Sequence, residues 1–153
     1  MGNESRIAVT RMVDAPAVDV FAYLANPANH RDLDTSGMIQ GAADPGPITG
    51  AGQVFVMNMR NPIKGDHQVE NHVIAFESGR VIGWAPAEPG HPPAGHTYTW
   101  TLAPAGNHRT EVTQTHDWSA FTHTEMLSHL PVLSEDQLRA SLDKLARHLG
   151  PLD

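Results

Sequence analysis

Cysteine is absent from the chain, which excludes disulfides, thiolate metal sites and cysteine nucleophiles together. A reducing compartment is the easiest setting for such a sequence. Positive charge is scarce as well: 10 Lys and Arg stand against 17 Asp and Glu, a formal net charge of −7. That balance opposes sequence-independent attraction to phosphate backbones and to anionic lipid surfaces, so nucleic acid is set aside as a partner. No apolar run approaches the roughly 18 residues of a membrane span. The opening MGNESRIAVT also lacks the basic segment and following apolar stretch of a secretory signal. These absences predict a soluble cytoplasmic protein with no membrane span.

What is present suffices for one folded unit. A chain of 153 residues with 40% hydrophobic content predicts a single domain over residues 1–153, able to form a core without metals or cross-links. Its 13 Gly and 12 Pro fall in clusters that punctuate the sequence.

Arg6 to Val13 reads as a first strand. Asp14-Ala15-Pro16 then resembles a helix start, with Asp14 as capping residue and Val20, Phe21 and Leu24 spaced along the helix that follows. That helix stops near Asn26-Pro27. A second short turn or helix is expected through His30-Arg31-Asp32-Leu33, and a short strand at Met38 to Gln40. The interval Gly41 to Gly52 holds two prolines and four glycines and reads as a loop. Gln53 to Arg60 places Phe55, Met57 and Met59 on one alternating face. Gln68 to Glu77 and Arg80 to Trp84 predict a hairpin closed at Ser78-Gly79.

Ala85 to Gly95, with four prolines and two glycines, reads as a rim loop. His96 to Leu102 alternates between large aromatic residues and threonine, and Arg109 to Trp118 puts Val112, Gln114, His116 and Trp118 on one side. The two are expected to pair as antiparallel strands around a turn at Ala105-Gly106-Asn107. Thr122 with Glu125, and Ser134 with Gln137, have capping-box spacing, predicting two helices split at Pro131. The second carries Leu138, Leu142, Leu145 and Leu149 as one stripe and ends at Gly150-Pro151.

This order predicts an α+β fold: a curved antiparallel sheet wrapped around a long C-terminal helix, with two short helices after the first strand. Three stretches carry a family resemblance. Val13-Asp14-Ala15-Pro16 with Val20-Phe21-Ala22-Tyr23-Leu24, then Ala75 to Trp84 (AFESGRVIGW), then Glu111 to Ser119 (EVTQTHDWS) resemble the polyketide cyclase/dehydrase-like members of the START-like (SRPBCC, Bet v 1-like) superfamily. The likeness runs from Ile7 to Leu149. It implies a helix-grip fold with a cavity between sheet and long helix, and ligands such as lipids, polyketides, sterols or hormones. One departure is Leu33, where many relatives carry tryptophan at the end of the short second helix.

In such a fold one parity of each strand faces the helix. The residues expected to line the space are Phe55, Met57, Met59, His72, Trp84, Tyr98, Trp100, Gln114, His116 and Trp118 from the sheet, with Leu138 and Leu142 from the helix. Glu70 and His72 are placed inward on the strand leading to Ile74. Buried polar groups without partners cost roughly 1–3 kcal/mol, so several on one inward face point to enclosed water or ligand. The loops Ala42 to Gly52 and Ala85 to Gly95 are expected at its mouth.

Metal ligation and nucleophilic catalysis find no support. None of the ten histidines forms a helical i, i+4 pair, and there is no Gly-x-Ser-x-Gly elbow or Gly-rich phosphate loop. No metal and no cofactor are expected. The leading expectation is a protein that encloses a small hydrophobic or amphipathic ligand. A polyketide-type cyclase or dehydratase, with His96 or His116 as base and Tyr98 as acid, is the second. A protein-partner adaptor is the third, and it would need an exposed apolar patch. The oligomeric state is not encoded in any feature of the sequence.

Overall fold

The computed structural model describes residues 5–43, 46–106, 108–121 and 133–149. Strand β1 (Arg6–Val13) leads into helix α1 (Ala17–Leu24), a 3-10 turn at Pro27–Asn29, helix α2 (His30–Leu33) and strand β2 (Ile39–Ala42). Strands β3 (Val54–Asn61), β4 (Gly65–Glu77), β5 (Val81–Ala87), β6 (Thr97–Pro104) and β7 (Thr110–Asp117) follow, then helix α3 (Glu135–Leu149). The strands form one curved antiparallel sheet in the order β1-β7-β6-β5-β4-β3-β2. This is the expected α+β helix-grip architecture.

The leucine stripe explains where α3 lies. Leu138, Leu142 and Leu145 are fully buried, each stabilising the fold by roughly 1.5–3 kcal/mol through removal from water. They belong to one core with Val9 and Val13 of β1, Val112 of β7, and Val20, Phe21 and Leu24 of α1. Helix α3 starts as its spacing predicts: Ser134 N–H donates to Gln137 Oε1 (2.8 Å) and Gln137 N–H to Ser134 Oγ (3.2 Å), the reciprocal capping box. The expected Thr122–Glu125 cap, the break at Pro131 and the end at Gly150-Pro151 lie outside the described residues, as does Asn107 of the β6–β7 turn.

Several expectations are corrected. Pro16, not Asp14, occupies the cap position of α1 and makes no side-chain cap; Asp14 instead accepts from Arg109 Nε at 2.7 Å. Strand β5 runs to Ala87 and so includes Pro86. The proline is tolerated because pairing to β6 ends at Trp84–Tyr98, leaving no partner on that side for a missing N–H. Among the described residues of 42–52, none borders the cavity. Ile48 is buried in the core and its N–H donates to the Ala25 carbonyl at 2.7 Å.

The largest correction concerns β4. Its register against β5 shifts between Val73 and Ala75, and an extra residue reverses side-chain parity. Val69, Asn71 and Val73 therefore face inward before the bulge and Phe76 after it, while Glu70, His72 and Ile74 face outward. His72 lies opposite Val54, which is 43% exposed. It is not a cavity residue.

Candidate functional site

Between the sheet, α2 and α3 lies a cavity of about 350 Å³, within the roughly 300–1,000 Å³ typical of small-molecule sites. Its main wall follows from strand pairing. Trp84, Tyr98 and His116 stand in one cross-strand row with Val73, while Ile82, Trp100 and Gln114 stand in the next with Phe76 and Val9. Met57 and Met59 of β3, Asn71 of β4 and Pro86 of β5 extend that wall. On the opposite side are His30, Asp34 and Ser36 from α2 and the segment after it, and Ser141 from α3.

Of the residues expected from sequence to line this space, Met57, Met59, Trp84, Tyr98, Trp100 and Gln114 do so, as does the catalytic candidate His96. Phe55, His116 and Trp118 stand behind the lining. Phe55 packs edge-on to Trp84 at 5.3 Å, and His116 is covered by Tyr98 and lies 5.1 Å from Trp118. Leu138 and Leu142 are core residues on the side of α3 turned to β1. Ser141, on the next face of the helix, is the one that reaches the cavity.

Residues that sequence reading did not single out supply much of the opposite side. His30 is buried, and its Nε2–H donates to the Leu24 carbonyl at 2.8 Å, meeting an orphan acceptor at the end of α1. Its ring stacks on Trp84 at 4.8 Å. Asp34 Oδ1 accepts from Ser36 N–H (3.0 Å) and Ser36 Oγ–H (2.6 Å), and Oδ2 from Ile39 N–H (3.1 Å). The segment is clasped to α3 by Thr35 Oγ1–H donating to the Gln137 carbonyl (2.9 Å) and Lys144 Nζ to the Asp34 carbonyl (2.8 Å).

Burial sets the protonation states. It lowers His30 to about 4 and His96 to about 4, the latter helped by neighbouring His116. His116 is lowered by burial, against the opposing pull of its hydrogen bond to the Thr97 carbonyl and of Asp117. Burial, with the negative charge of Asp34, raises the Tyr98 phenol. The wall is therefore neutral at pH 7: neutral imidazoles and a protonated phenol. Three of its polar atoms, His96 Nδ1, Trp100 Nε1 and Gln114 Oε1, are buried with no hydrogen-bond partner among the described residues. Among the described residues, no three of His, Asp and Glu converge as metal ligands, and no helix is long and apolar enough to cross a membrane.

Comparison with known proteins places these observations. The family described as polyketide cyclase / dehydrase and lipid transport matches residues 5–150. The uncharacterized protein Rv0088 of Mycobacterium tuberculosis is 29% identical over 116 residues, which make up 75% of this chain and 48% of that protein. The chain thus spans about half the length of the curated relatives it matches. Among solved structures, Zhui aromatase/cyclase from Streptomyces sp. R1128 is similar with a TM-score of 0.66 and 17% identity, covering 94% of this chain and 92% of that one. Truncated norcoclaurine synthase from Thalictrum flavum gives a TM-score of 0.66 with 18% identity over 100% of both chains. At such identities the likeness establishes the shared fold.

Proposed function

The chain belongs to the polyketide cyclase / dehydrase and lipid transport family, and from that premise we propose that it binds one small, largely apolar molecule with polar substituents in the cavity between sheet and α3. The observation that carries this reading is the set of unpartnered polar atoms around the cavity, His96 Nδ1, Trp100 Nε1 and Gln114 Oε1. Each buried polar atom without a partner costs roughly 1–3 kcal/mol. A guest that supplies the missing hydrogen bonds offsets that cost, while the aromatic and methionine walls take its apolar body. Native mass spectrometry of a co-purifying molecule, together with titration of tryptophan emission by an aromatic polyphenol and a fatty acid, tests the proposal. Emission from Trp84 and Trp100 responds, and Trp84→Phe and Trp100→Phe blunt the response more than Trp118→Phe. No co-purifying molecule and no response to either ligand at millimolar concentration would refute it.

A second reading, cyclase or dehydratase chemistry on a polyketide-like substrate, is favoured by one arrangement. His96 and Tyr98 adjoin on the wall with ring centroids 5.7 Å apart, one neutral with Nδ1 buried and unpartnered, the other a protonated phenol. Against it stands the His96 value of about 4. General bases work best with a pKa near the working pH, so His96 is better suited to accept a hydrogen bond than to remove a proton. His96→Ala and His116→Ala separate the readings: lost turnover with retained binding supports an enzyme, and turnover unchanged in both rejects it. The adaptor reading gains no comparable support. Among the described residues, the exposed large apolar side chains are Val18, Val54, Ile63 and Ile74, on α1, β3, the β3–β4 turn and β4.

A further inference from the structure

We infer that the floor of the cavity is a recognition site for a ligand hydroxyl, bound between the Trp100 indole N–H and Gln114 Oε1. The inference rests on the enclosed-ligand reading above and adds the chemical class of the guest. Trp100 and Gln114 lie directly opposite each other on β6 and β7, are 3% and 4% exposed, and both border the cavity. Their polar atoms Nε1 and Oε1 are buried without partners. The sheet has none to offer, because the other members of the same cross-strand row are Phe76, Ile82 and Val9. Two polar atoms of complementary character thus belong to facing residues of an otherwise apolar row, at a depth where unmet hydrogen bonds are costly.

The two atoms differ in what they accept. An indole N–H only donates, and an amide oxygen only accepts. Among ligand groups a hydroxyl meets both, accepting from Trp100 and donating to Gln114, and in doing so takes the place a water would fill. An ether or ketone oxygen satisfies the indole but sets its lone pairs against Gln114 Oε1. An ammonium satisfies the amide and leaves the indole unmet. A carboxylate brings charge to a floor without a counter-charge, since the charged lining residues Asp34 and Lys64 sit on the α2–β2 segment and the β3–β4 turn. Both atoms are covered, so a ligand reaches them as the Gln114 amide or the Trp100 ring turns aside. The geometry favours a neutral alcohol or phenol that enters hydroxyl first, its flat apolar body lying toward Met57 and Met59.

Calorimetric titration of the full chain with four matched probes tests this: 2-naphthol, 2-methoxynaphthalene, 2-acetonaphthone and 2-naphthoate. A site built around a ligand hydroxyl discriminates strongly against analogues lacking it. The expected result is 2-naphthol binding at least about ten-fold more tightly than the other three. Gln114→Met and Trp100→Phe each reduce that preference to about two-fold or less. Equal affinity for naphthol and its methyl ether or ketone in the unsubstituted protein overturns the hydroxyl site and leaves the cavity reading standing. Absence of binding by all four probes, joined to the failed titrations described above, removes both. The comparison among probes needs no variant, so a misfolded substitution does not decide the outcome.

Discussion

Tyr98 and His116 stack face to face across the β6–β7 pair, with ring centroids 4.4 Å apart and planes 10° from parallel. The phenol roofs the imidazole, and His116 Nδ1–H is directed to the Thr97 carbonyl at 3.2 Å. One consequence is a histidine kept neutral by its surroundings. His96 and His30 share that condition, so acid has a defined effect on the fold.

The sign follows from proton counting. Unfolded histidines bind protons near pH 6.5, whereas buried His30 and His96 resist until about pH 4. The unfolded state therefore holds more protons between these values, and stability falls as pH drops from 6.5 toward 4. Above pH 7 these groups contribute no slope. For fully buried His30 the loss amounts to about 3 kcal/mol. Asp66 and Asp117, lowered chiefly by hydrogen bonds from Arg60 and Ser119, act in a separate window below about pH 4. Urea unfolding midpoints measured from pH 7.5 to 4.5 should decline, and His30→Phe should flatten the decline. A midpoint that holds constant or rises on acidification contradicts this assignment of protonation states.

Gly95 offers a test of how the His96 wall is held. Its φ is +114°, and a Cβ there would collide with the Ala120 carbonyl and lie 2.7 Å from Phe121 Cα. Phe121 in turn packs edge-on to His96, with centroids 5.7 Å apart. Gly95→Ala should cost about 2–3 kcal/mol in chemical denaturation, through backbone strain plus displacement of the 120–121 segment. Gly90→Ala is the control: φ is +79° but the space is open, so only the conformational cost of about 1 kcal/mol applies. Equal effects at the two positions would show that the close approach at Gly95 does not matter.

The reach of sequence reading is clearest along β6 and β7. Strict alternation from His96 to Leu102 and from Arg109 to Trp118 shows which faces are buried and that the two strands pair, while the register that sets Tyr98 opposite His116 and Trp100 opposite Gln114 comes from the connection between them. Strand β4 shows the opposite case. Its bulge between Val73 and Ala75 carries no glycine or proline to mark it, so the parity carried back from Ile74 reached Glu70 and His72 when Asn71 was the inward residue. His30, Asp34 and Ser36 were illegible for another reason. Four helical residues in α2 are too few for a periodic pattern, and it is packing against Trp84 and α3 that turns them inward. Ser141 hid within a leucine stripe, one position from Leu142.

The clasp between α2 and α3 should control ligand exchange. Thr35 and Lys144 both bond to backbone carbonyls across that boundary, and Asp34 to Ser36 border the cavity. Lys144→Met and Thr35→Val each remove one such bond, worth about 1 kcal/mol. Stopped-flow displacement should show faster ligand dissociation in both variants, several-fold in the pair combined, with smaller changes in association. Unchanged dissociation in the double variant would move the exit route elsewhere.

Core and lining on α3 differ in what their loss does. Leu138 and Leu142 are fully buried beside Val9 and Val13, so Leu142→Ala should destabilise by about 2–5 kcal/mol, the range for removing a buried leucine and leaving a void. Met59 borders the cavity and is only partly buried; Met59→Ala removes contact surface that a guest would use, with less than about 2 kcal/mol lost from the fold. The two variants should therefore separate in opposite directions: Leu142→Ala lowers the urea midpoint with ligand affinity nearly intact, and Met59→Ala weakens ligand binding several-fold with a modest midpoint change. If Leu142→Ala weakened binding more than Met59→Ala under conditions where both are folded, the leucine face of α3 would have to border the guest after all, and the division between packed stripe and cavity wall drawn at Ser141 would be wrong.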